Sequence, residues 1–473
     1  MDRPFKVRTT FSQMSMQFPT GMLQTARRLG AHLEAYFAYE VGTPLVKYAN
    51  DGSEGFDMAA LRTGAGLPDV VVTAVSSTNA IAADAEGTWQ QLLEGESGIG
   101  PLDKWFVDDC DSPVRIGGTL RENFDAHLNR VELRRLSYLG KMSLVLGRRL
   151  WEAAGTPEVD TGRLMVSIGL ALGTTEEMIM QYADWQQRGL RAMSPLAIQM
   201  YMPNAPAAAV GLEFKAKAGV IAPVMSDASG SAAIAQAWRG IVLGEADVAI
   251  CGAVETWVEG IPMGAFHGLG MMSTANDDPA GACRPFDRHR DGMVLTEGGA
   301  LLLLETEEHA KSRGAPILAR LMGAAINADS YDLIDPDPTG EPAAEAISHA
   351  IELAGLSPAD IGHVNAHATG TVAGDLAEAR AIRRAFGSHD PAVYAPKAAL
   401  GHSLGAAGAV EAVLTVQALR DGVVPATRNV KDLDPAIDLD VVVDRPRHGA
   451  YRYAVSNSFG IGGHNAVLVF GAP

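Results

Sequence analysis

From residue 68 onward, short apolar runs alternate with longer stretches whose hydrophobic positions recur with helical spacing. The run 70–77, "VVVTAVSS", reads as a first buried strand. "RLMVSIGLALGTT" reads as a strand running into a Gly/Thr turn, and "DVAICGAVE" as another short apolar strand. Between them, 230–244 has the pattern of a helix rich in small residues. Strands and helices in alternation predict an α/β fold with buried sheets. Residues 1–67 lack the pattern. "YANDGSEGFDMAALRTGAGLPD" is rich in Gly and Asp with no sustained periodicity, so 1–67 is expected to be a partly ordered extension. Its basic residues resemble those of an organelle transit peptide, but no apolar run has the length a secretory signal needs.

The pattern also repeats. "GVIAPVMSDASGSAAIAQAWRGIVLGEAD" is strand, turn and Ala/Gly-rich helix, and "PAVYAPKAALGHSLGAAGAVEAVLTVQALRDG" follows the same plan about 170 residues further on. Small residues along both helices would let each sit close to a neighbouring element.

Composition narrows the class. The chain has 473 residues, 47% of them hydrophobic, enough for a large core in two or three domains or in one duplicated fold. A formal net charge of −18 argues against a nucleic-acid binder and against a general binder of anionic membranes. No stretch has the apolar length of a membrane span. Cys110, Cys251 and Cys283 lie far apart and give no metal spacing, as expected of free thiols in a reducing, cytoplasmic setting.

Three segments concentrate chemistry at strand-to-turn boundaries, where α/β folds build their sites. "HVNAHATGTVAGDLAEARAI" presents His367, "APKAALGHSLGAAGAVEA" presents Lys397 and His402, and "VSNSFGIGGHNAVLVF" is a Gly-rich loop between strand-like runs. Gly460, Gly462 and Gly463 would let backbone N–H groups come close to a ligand. A fourth segment, "VMSDASGSAAIAQAW", has the form of a strand, a tight turn and a helix start, a place where a nucleophile is commonly presented. The residue at its tip is Asp227. Two His and a Lys at such boundaries suggest acyl transfer or decarboxylation.

Together, "NAHATGT…GD", "APKAALGHSLGAAGAVE", "CRPFDRHRDG" and "NSFGIGGHN" resemble the β-ketoacyl-acyl-carrier-protein synthases of the elongating type, with the mycobacterial synthases of meromycolate extension as the nearest likeness. The resemblance runs from about Pro68 to the C-terminus. It implies a thiolase fold: duplicated α/β halves, 68–315 and 316–473, in a five-layered α-β-α-β-α architecture. It implies a Cys–His–His site in which the Cys holds the growing chain as a thioester while the His pair promotes decarboxylation of the malonyl unit. His367, His402 and Lys397 match the retained catalytic positions, and Asp227 stands at the thiolate position. Gly460, Ile461, Gly462 and Gly463 match the oxyanion and gate loop. Thr369 and Thr371 match threonines that bind the phosphopantetheine arm, and Phe459, Met293 and Leu295 match substrate-binding positions. Asp375, Glu378 and Glu411 match supporting acids, the first two open to a plainer reading as helix-cap or surface charges. No cofactor is implied beyond the phosphopantetheine of an acyl carrier protein. The implied partners are that carrier and a second synthase subunit, in a homodimer or a heterodimer.

A carboxylate is comfortable at a helix N-terminus, as a thiolate is. It is nevertheless a poor nucleophile toward a thioester, and its product would be a reactive anhydride. Ser226 and Ser229 flank the tip but are expected to point elsewhere. An acyl-enzyme is therefore not expected. Two roles remain: a malonyl-carrier-protein decarboxylase, for which the family offers a precedent with Gln in place of Cys, or a non-condensing partner comparable to chain-length factors. A working synthase with an atypical nucleophile is the further alternative. Other departures from the family accompany Asp227. Ile461 stands where a second Phe is usual, Met293 where Phe is common, Thr296 where Gly is common, and Gly270 where relatives often carry an Arg that touches the carrier. Arg130, Arg134, Arg135 and Lys141, read as one helix, offer a basic face for an acidic carrier.

Overall fold

The computed structural model describes residues 68–473 apart from Thr174; the expected extension 1–67 lies outside the described residues. Among the described residues ten strands form one sheet. They are β1 (Val70–Asn79), β2 (Leu164–Gly169), β3 (Gly219–Ile221), β4 (Val248–Glu255) and β5 (Gly298–Thr306), followed by β6 (Ala319–Ala328), β7 (His363–Asn365), β8 (Ala392–Tyr394), β9 (Tyr453–Gly460) and β10 (His464–Gly471). Their order across the sheet is β8-β7-β9-β10-β6-β1-β5-β4-β2-β3.

That order contains the duplication. In each set of five the third strand lies at the outer edge, followed by the second, fourth, fifth and first. The second strand pairs in parallel with the third and the fourth, and the fifth runs antiparallel to the fourth and the first, in both sets. The sets join where Val71 and Val72 of β1 pair with Arg320 and Ala319 of β6.

Six helices complete the layers: α1 (Tyr138–Ala153), α2 (Ala205–Glu213), α3 (Ser229–Val242), α4 (Glu341–Leu353), α5 (Val372–Phe386) and α6 (Ala407–Asp421). Side chains on a strand point alternately to its two faces, so a strand buried on both sides reads as a continuous apolar run. In β5, Leu301 and Leu303 pack outward with α1 residues Met142 and Leu146, while Leu302 and Leu304 pack inward with Ile234 of α3 and Val413 of α6. In β10, Leu468 and Phe470 join that same inner core, while Val467 and Val469 face Ile347 and Ile351 of α4. The layers are thus α1/α2, the first five strands, α3/α6, the second five strands, and α4/α5.

The two inner helices are the repeated Ala/Gly-rich segments, and their composition has a geometric reason. A Cβ on Gly230 would lie 2.6 Å from the Ala409 backbone nitrogen, and one on Gly408 would lie 2.9 Å from that of Ser231. This contact brings the N-termini of α3 and α6 side by side and fixes the spacing of the segments that precede them. Gly230→Val is therefore expected to cost about 3 kcal/mol through overpacking against rigid backbone, measurable as a fall in denaturation midpoint at unchanged slope.

The structure corrects one expectation here. Arg130, Arg134, Arg135 and Lys141 do not share a helix. The first three lie on Arg130–Arg135, which ends at extended Leu136; Ser137 then caps α1, its side chain accepting from the Gly140 N–H. Lys141, on α1, pairs with Asp125 at 2.8 Å.

Candidate active site

The turn before α3 is built by its serines. Ser229 Oγ accepts from Met225 N (2.8 Å) and donates to Ser226 O (2.7 Å). Ser226 is held at φ 51°, a left-handed conformation that costs a non-glycine residue energy and needs surrounding support. Asp227, 4% exposed, is thereby directed into the site. Its Oδ2 accepts from Ile461 N at 3.2 Å, and Ser226 Oγ lies 3.3 Å away. His402 Nε2 stands 3.1 Å from Oδ1, off the line of a straight hydrogen bond. Both serines are committed locally: Ser226 Oγ lies against the carboxylate and Ser229 holds the turn.

Ile461, Gly462 and Gly463 form the tight turn between β9 and β10, closed by the pairing of Gly460 with His464. Gly462 and Gly463 take positive φ of 90° and 72°. Gly460 lets this hairpin approach the turn before α3: a Cβ there would stand 3.0 Å from Asp227 N and from Met225 O.

His367 follows β7, and its loop is tied down by acids. Glu378 of α5 accepts from His367 N (2.8 Å), Ala368 N (2.6 Å) and Asn457 Nδ2 (3.1 Å). Asp375 accepts from Gly370 N (3.0 Å) and Phe286 N (2.8 Å), with Arg290 Nε at 3.5 Å. The plainer expectation of surface or cap charges is therefore wrong for both: they are buried and hold the active loop by its backbone. Lys397 Nζ donates to His367 O and to Glu411 Oε1, each at 2.5 Å, and lies 3.4 Å from His367 Nδ1. The two imidazoles stand edge to face with centroids 5.5 Å apart.

Protonation follows from these contacts. Leu404 N points at His402 Nδ1 (3.3 Å) and Lys397 at His367 Nδ1, so the proton on each ring is assigned to Nε2, which in His402 faces Asp227. Burial holds both imidazoles below their ordinary pKa, His367 far below with Lys397 and His402 adding to the effect. Burial alone would raise the Asp227 pKa; the contact with His402, the Ile461 N–H and the more distant Lys397 outweigh it and leave it lowered. The site therefore holds a carboxylate beside neutral His402, with neutral His367 close by.

Ligand atoms of Asp227, His367 and His402 lie within 4.8 Å of one another, close enough to surround a metal ion. The outer contacts have the wrong polarity for one. A metal-bound His donates its other N–H to an acceptor, and here both Nδ1 atoms face donors. The arrangement suits an oxyanion.

A cleft of about 90 Å³ opens on Asp227, His367, Thr369, Thr371, Phe459 and Ile461. Thr369 and Thr371 bond each other through their hydroxyls at 2.9 Å. Met293 and Leu295, expected at the substrate, do not line this cleft. They are buried in an apolar cluster behind Ile461 with Met272, Phe266 and Leu404. Thr296 is not strained by its Cβ, since its φ is not positive; its Cγ2 occupies the space beside Gly118 and Gly401. Cys251 is buried in β4 and burial pushes its thiol well above the usual range, while that of Cys283 is pushed up to about 12. Neither offers a thiolate. Reading the residues in order missed Asn457 and Met271, which reach the site only through folding.

The model of the β-ketoacyl synthase N-terminal domain matches residues 68–310, and that of the C-terminal domain matches 318–431. The chain belongs to the β-ketoacyl synthase family. It is 63% identical over 415 residues to 3-oxoacyl-[acyl-carrier-protein] synthase 2 of Mycobacterium tuberculosis, covering 88% of this chain and all of that one. The ketosynthase/chain length factor of ishigamide synthesis shares its fold with a TM-score of 0.80 and 26% identity, over 86% of this chain and 99% of the other. A type II polyketide ketosynthase bound to its acyl-carrier protein does so with a TM-score of 0.79 and 25% identity, over the same shares of the two chains.

Because Lys397 and Glu411 form a buried pair, removing one partner strands the other's charge. Lys397→Met is expected to cost about 3–5 kcal/mol of stability. Lys397→Met with Glu411→Leu should recover most of it, measured by chemical denaturation.

Proposed function

We propose that this β-ketoacyl synthase homologue works in carrier-bound chain elongation of the fatty- or mycolic-acid type but does not load an acyl chain onto residue 227. On this reading Asp227 stands at the nucleophile position, and one observation carries the proposal: its own carboxylate already accepts the Ile461 N–H that a substrate carbonyl would need. Oδ2 takes the Ile461 N–H, and Oδ1 lies against His402 Nε2. A thioester carbonyl entering here would meet that N–H already engaged and a weakly nucleophilic carboxylate in place of a thiolate. The halves 68–315 and 316–473 would then form a complete synthase framework around a site that does not transfer acyl groups.

Of the two remaining roles, the ionised carboxylate favours the non-condensing partner. Like charges at close range in a dry site repel strongly, so a malonyl group is disfavoured. The retained His pair is no argument against this role, because His402 Nε2 stands 3.1 Å from the Asp227 carboxylate. An assembly surface is also present. The third strand β3 is a sheet edge, Val220 and Ile221 on it are exposed, and Leu172, Leu190, Ile198 and Leu212 are exposed nearby in sequence. A second synthase subunit, identical or active, would cover such an edge. Malonyl decarboxylation remains the second reading, favoured by His367, which still lines the cleft.

The experiment is incubation of the purified protein with malonyl-carrier protein and with an acyl-carrier thioester, followed by mass analysis. The expected result is no acyl group on the protein and little acetyl-carrier product. An acyl adduct mapped to Asp227 overturns the proposal, and rapid acetyl-carrier formation, lost in His367→Ala, assigns the decarboxylase role.

A further inference from the structure

We propose that the groove between α5 and the segment leading into α4 binds a small molecule carrying two phosphoryl groups, gripped by Arg380 and Arg384. The groove is separate from the cleft, and the proposal does not rest on the role given to Asp227. Arg380, Arg383 and Arg384 line it together with Pro338, Thr339 and Ala436, around a volume of about 520 Å³. Spaced three and four residues apart, these arginines share one face of α5, where like charges destabilise a helix. The helix end at Phe386 favours positive charge in its last turn, which accounts for Arg383 and Arg384 but not for Arg380. Arg383 is neutralised, its Nη2 lying 2.8 Å from Asp390 and 3.5 Å from Asp438. Arg380 and Arg384 pair with no carboxylate among the described residues. The chain has 56 acidic residues against 38 Lys and Arg, so a shortage of acids is not the reason.

Both guanidiniums are fixed in place rather than trailing in solvent. Arg380 Nη1 donates to Pro338 O at 2.5 Å, and Arg384 Nε donates to Thr339 O at 3.0 Å. Most N–H donors of each group remain unused by these bonds, and their prior ordering lowers the entropy cost of gripping a ligand. The planar fork of an arginine matches phosphate oxygens two at a time. Residues four apart on a helix are neighbours, so adjacent phosphoryl groups can reach both forks. Ala379, Ala436 and Pro338 supply the apolar lining and offer no aromatic ring, so recognition falls on the phosphoryl groups rather than on a stacked base. The volume lies in the ordinary range of small-molecule sites. An extended acidic peptide would meet like charge at exposed Asp438 and Asp390; a compact anion between Arg380 and Arg384 avoids it.

The test is calorimetric titration of the whole protein with inorganic pyrophosphate, inorganic phosphate, adenosine diphosphate and hexaglutamate, at low ionic strength to limit screening. Pyrophosphate should bind at least about tenfold more tightly than phosphate, because it engages both guanidiniums. Arg380→Gln combined with Arg384→Gln should weaken pyrophosphate at least about tenfold. Arg380→Lys keeps the charge but loses the fork, and should weaken it severalfold. Arg445→Gln, at an exposed arginine elsewhere, should leave binding unchanged. If the double variant fails to fold, Arg380→Lys still decides. Adenosine diphosphate binding as tightly as pyrophosphate assigns a diphosphate ester, and weaker binding assigns the free anion. No binding of pyrophosphate by the wild type, binding indifferent to residues 380 and 384, or an equal loss in Arg445→Gln overturns the proposal. Hexaglutamate binding more tightly than pyrophosphate also overturns it, and assigns the groove to an acidic polypeptide.

Discussion

Replacing Asp227 with cysteine is expected to give a protein that takes an acyl group from a short acyl-carrier thioester in a single turnover, while the wild type remains unmodified. The reason lies in what surrounds the position. The backbone of the turn is held by Ser229, whose Oγ accepts from Met225 N and donates to Ser226 O. The start of α3 and the neighbouring Nε2–H donors favour negative charge at residue 227, and such surroundings lower a thiol pKa. The thiolate would attack the thioester carbonyl, the carbonyl oxygen would receive the Ile461 N–H that Asp227 no longer occupies, and the carrier would leave as a thiolate that takes a proton from solvent. Intact-mass measurement after mixing with acetyl-carrier protein reads the outcome as a stoichiometric acetyl adduct, removed by hydroxylamine. An unmodified cysteine variant that is folded and still binds the carrier thioester would show that the block lies elsewhere, with Ile461 and Thr296 the nearest departures.

Much of this site was legible in the chain. The alternating pattern marks the strands around 70–77, 164–169 and 248–255, and the Ala/Gly-rich repeats mark the two helices that pack at the centre. His367, Lys397, His402 and the hairpin at 460–463 come together with Asp227 as the resemblance implies. What stayed hidden depends on tertiary partners. Asp375 and Glu378 look like surface acids because helix sequence does not show that a loop's N–H groups converge on them. The segment 130–141 reads as one helix because its pattern continues through Leu136 and Ser137, where a cap starts a new one. Met293 and Leu295 sit near the site in family terms, yet which face of the Ile461 wall they occupy is decided by the packing of Phe266 and Met272. The ionisation of Asp227 was undecidable along the chain, because it depends on which imidazole nitrogen carries the proton, and that is set by Leu404 and Lys397.

That ionisation makes Asp227→Asn the most informative single change. The amide has nearly the shape of the carboxylate, so packing around it should be kept, while the charge and one of two acceptor oxygens are lost. A malonyl carboxylate about 5 Å from an ionised Asp227 is repelled by about 3 kcal/mol at an effective dielectric constant near 20, roughly a hundredfold in rate or affinity. Removing the charge removes that penalty. His402 Nε2, which makes no straight hydrogen bond to residue 227, is available to the enolate that forms as carbon dioxide leaves. Decarboxylation would break the bond between the malonyl methylene and its carboxyl carbon, pass the electron pair onto the thioester oxygen between the His donors, and end with protonation of the methylene to acetyl. Asp227→Asn is therefore expected to raise conversion of malonyl- to acetyl-carrier protein by roughly a hundredfold over wild type, with the gain lost when His367→Ala is added. Equal, slow conversion by a folded Asp227→Asn and the wild type would mean that charge is not what silences the site.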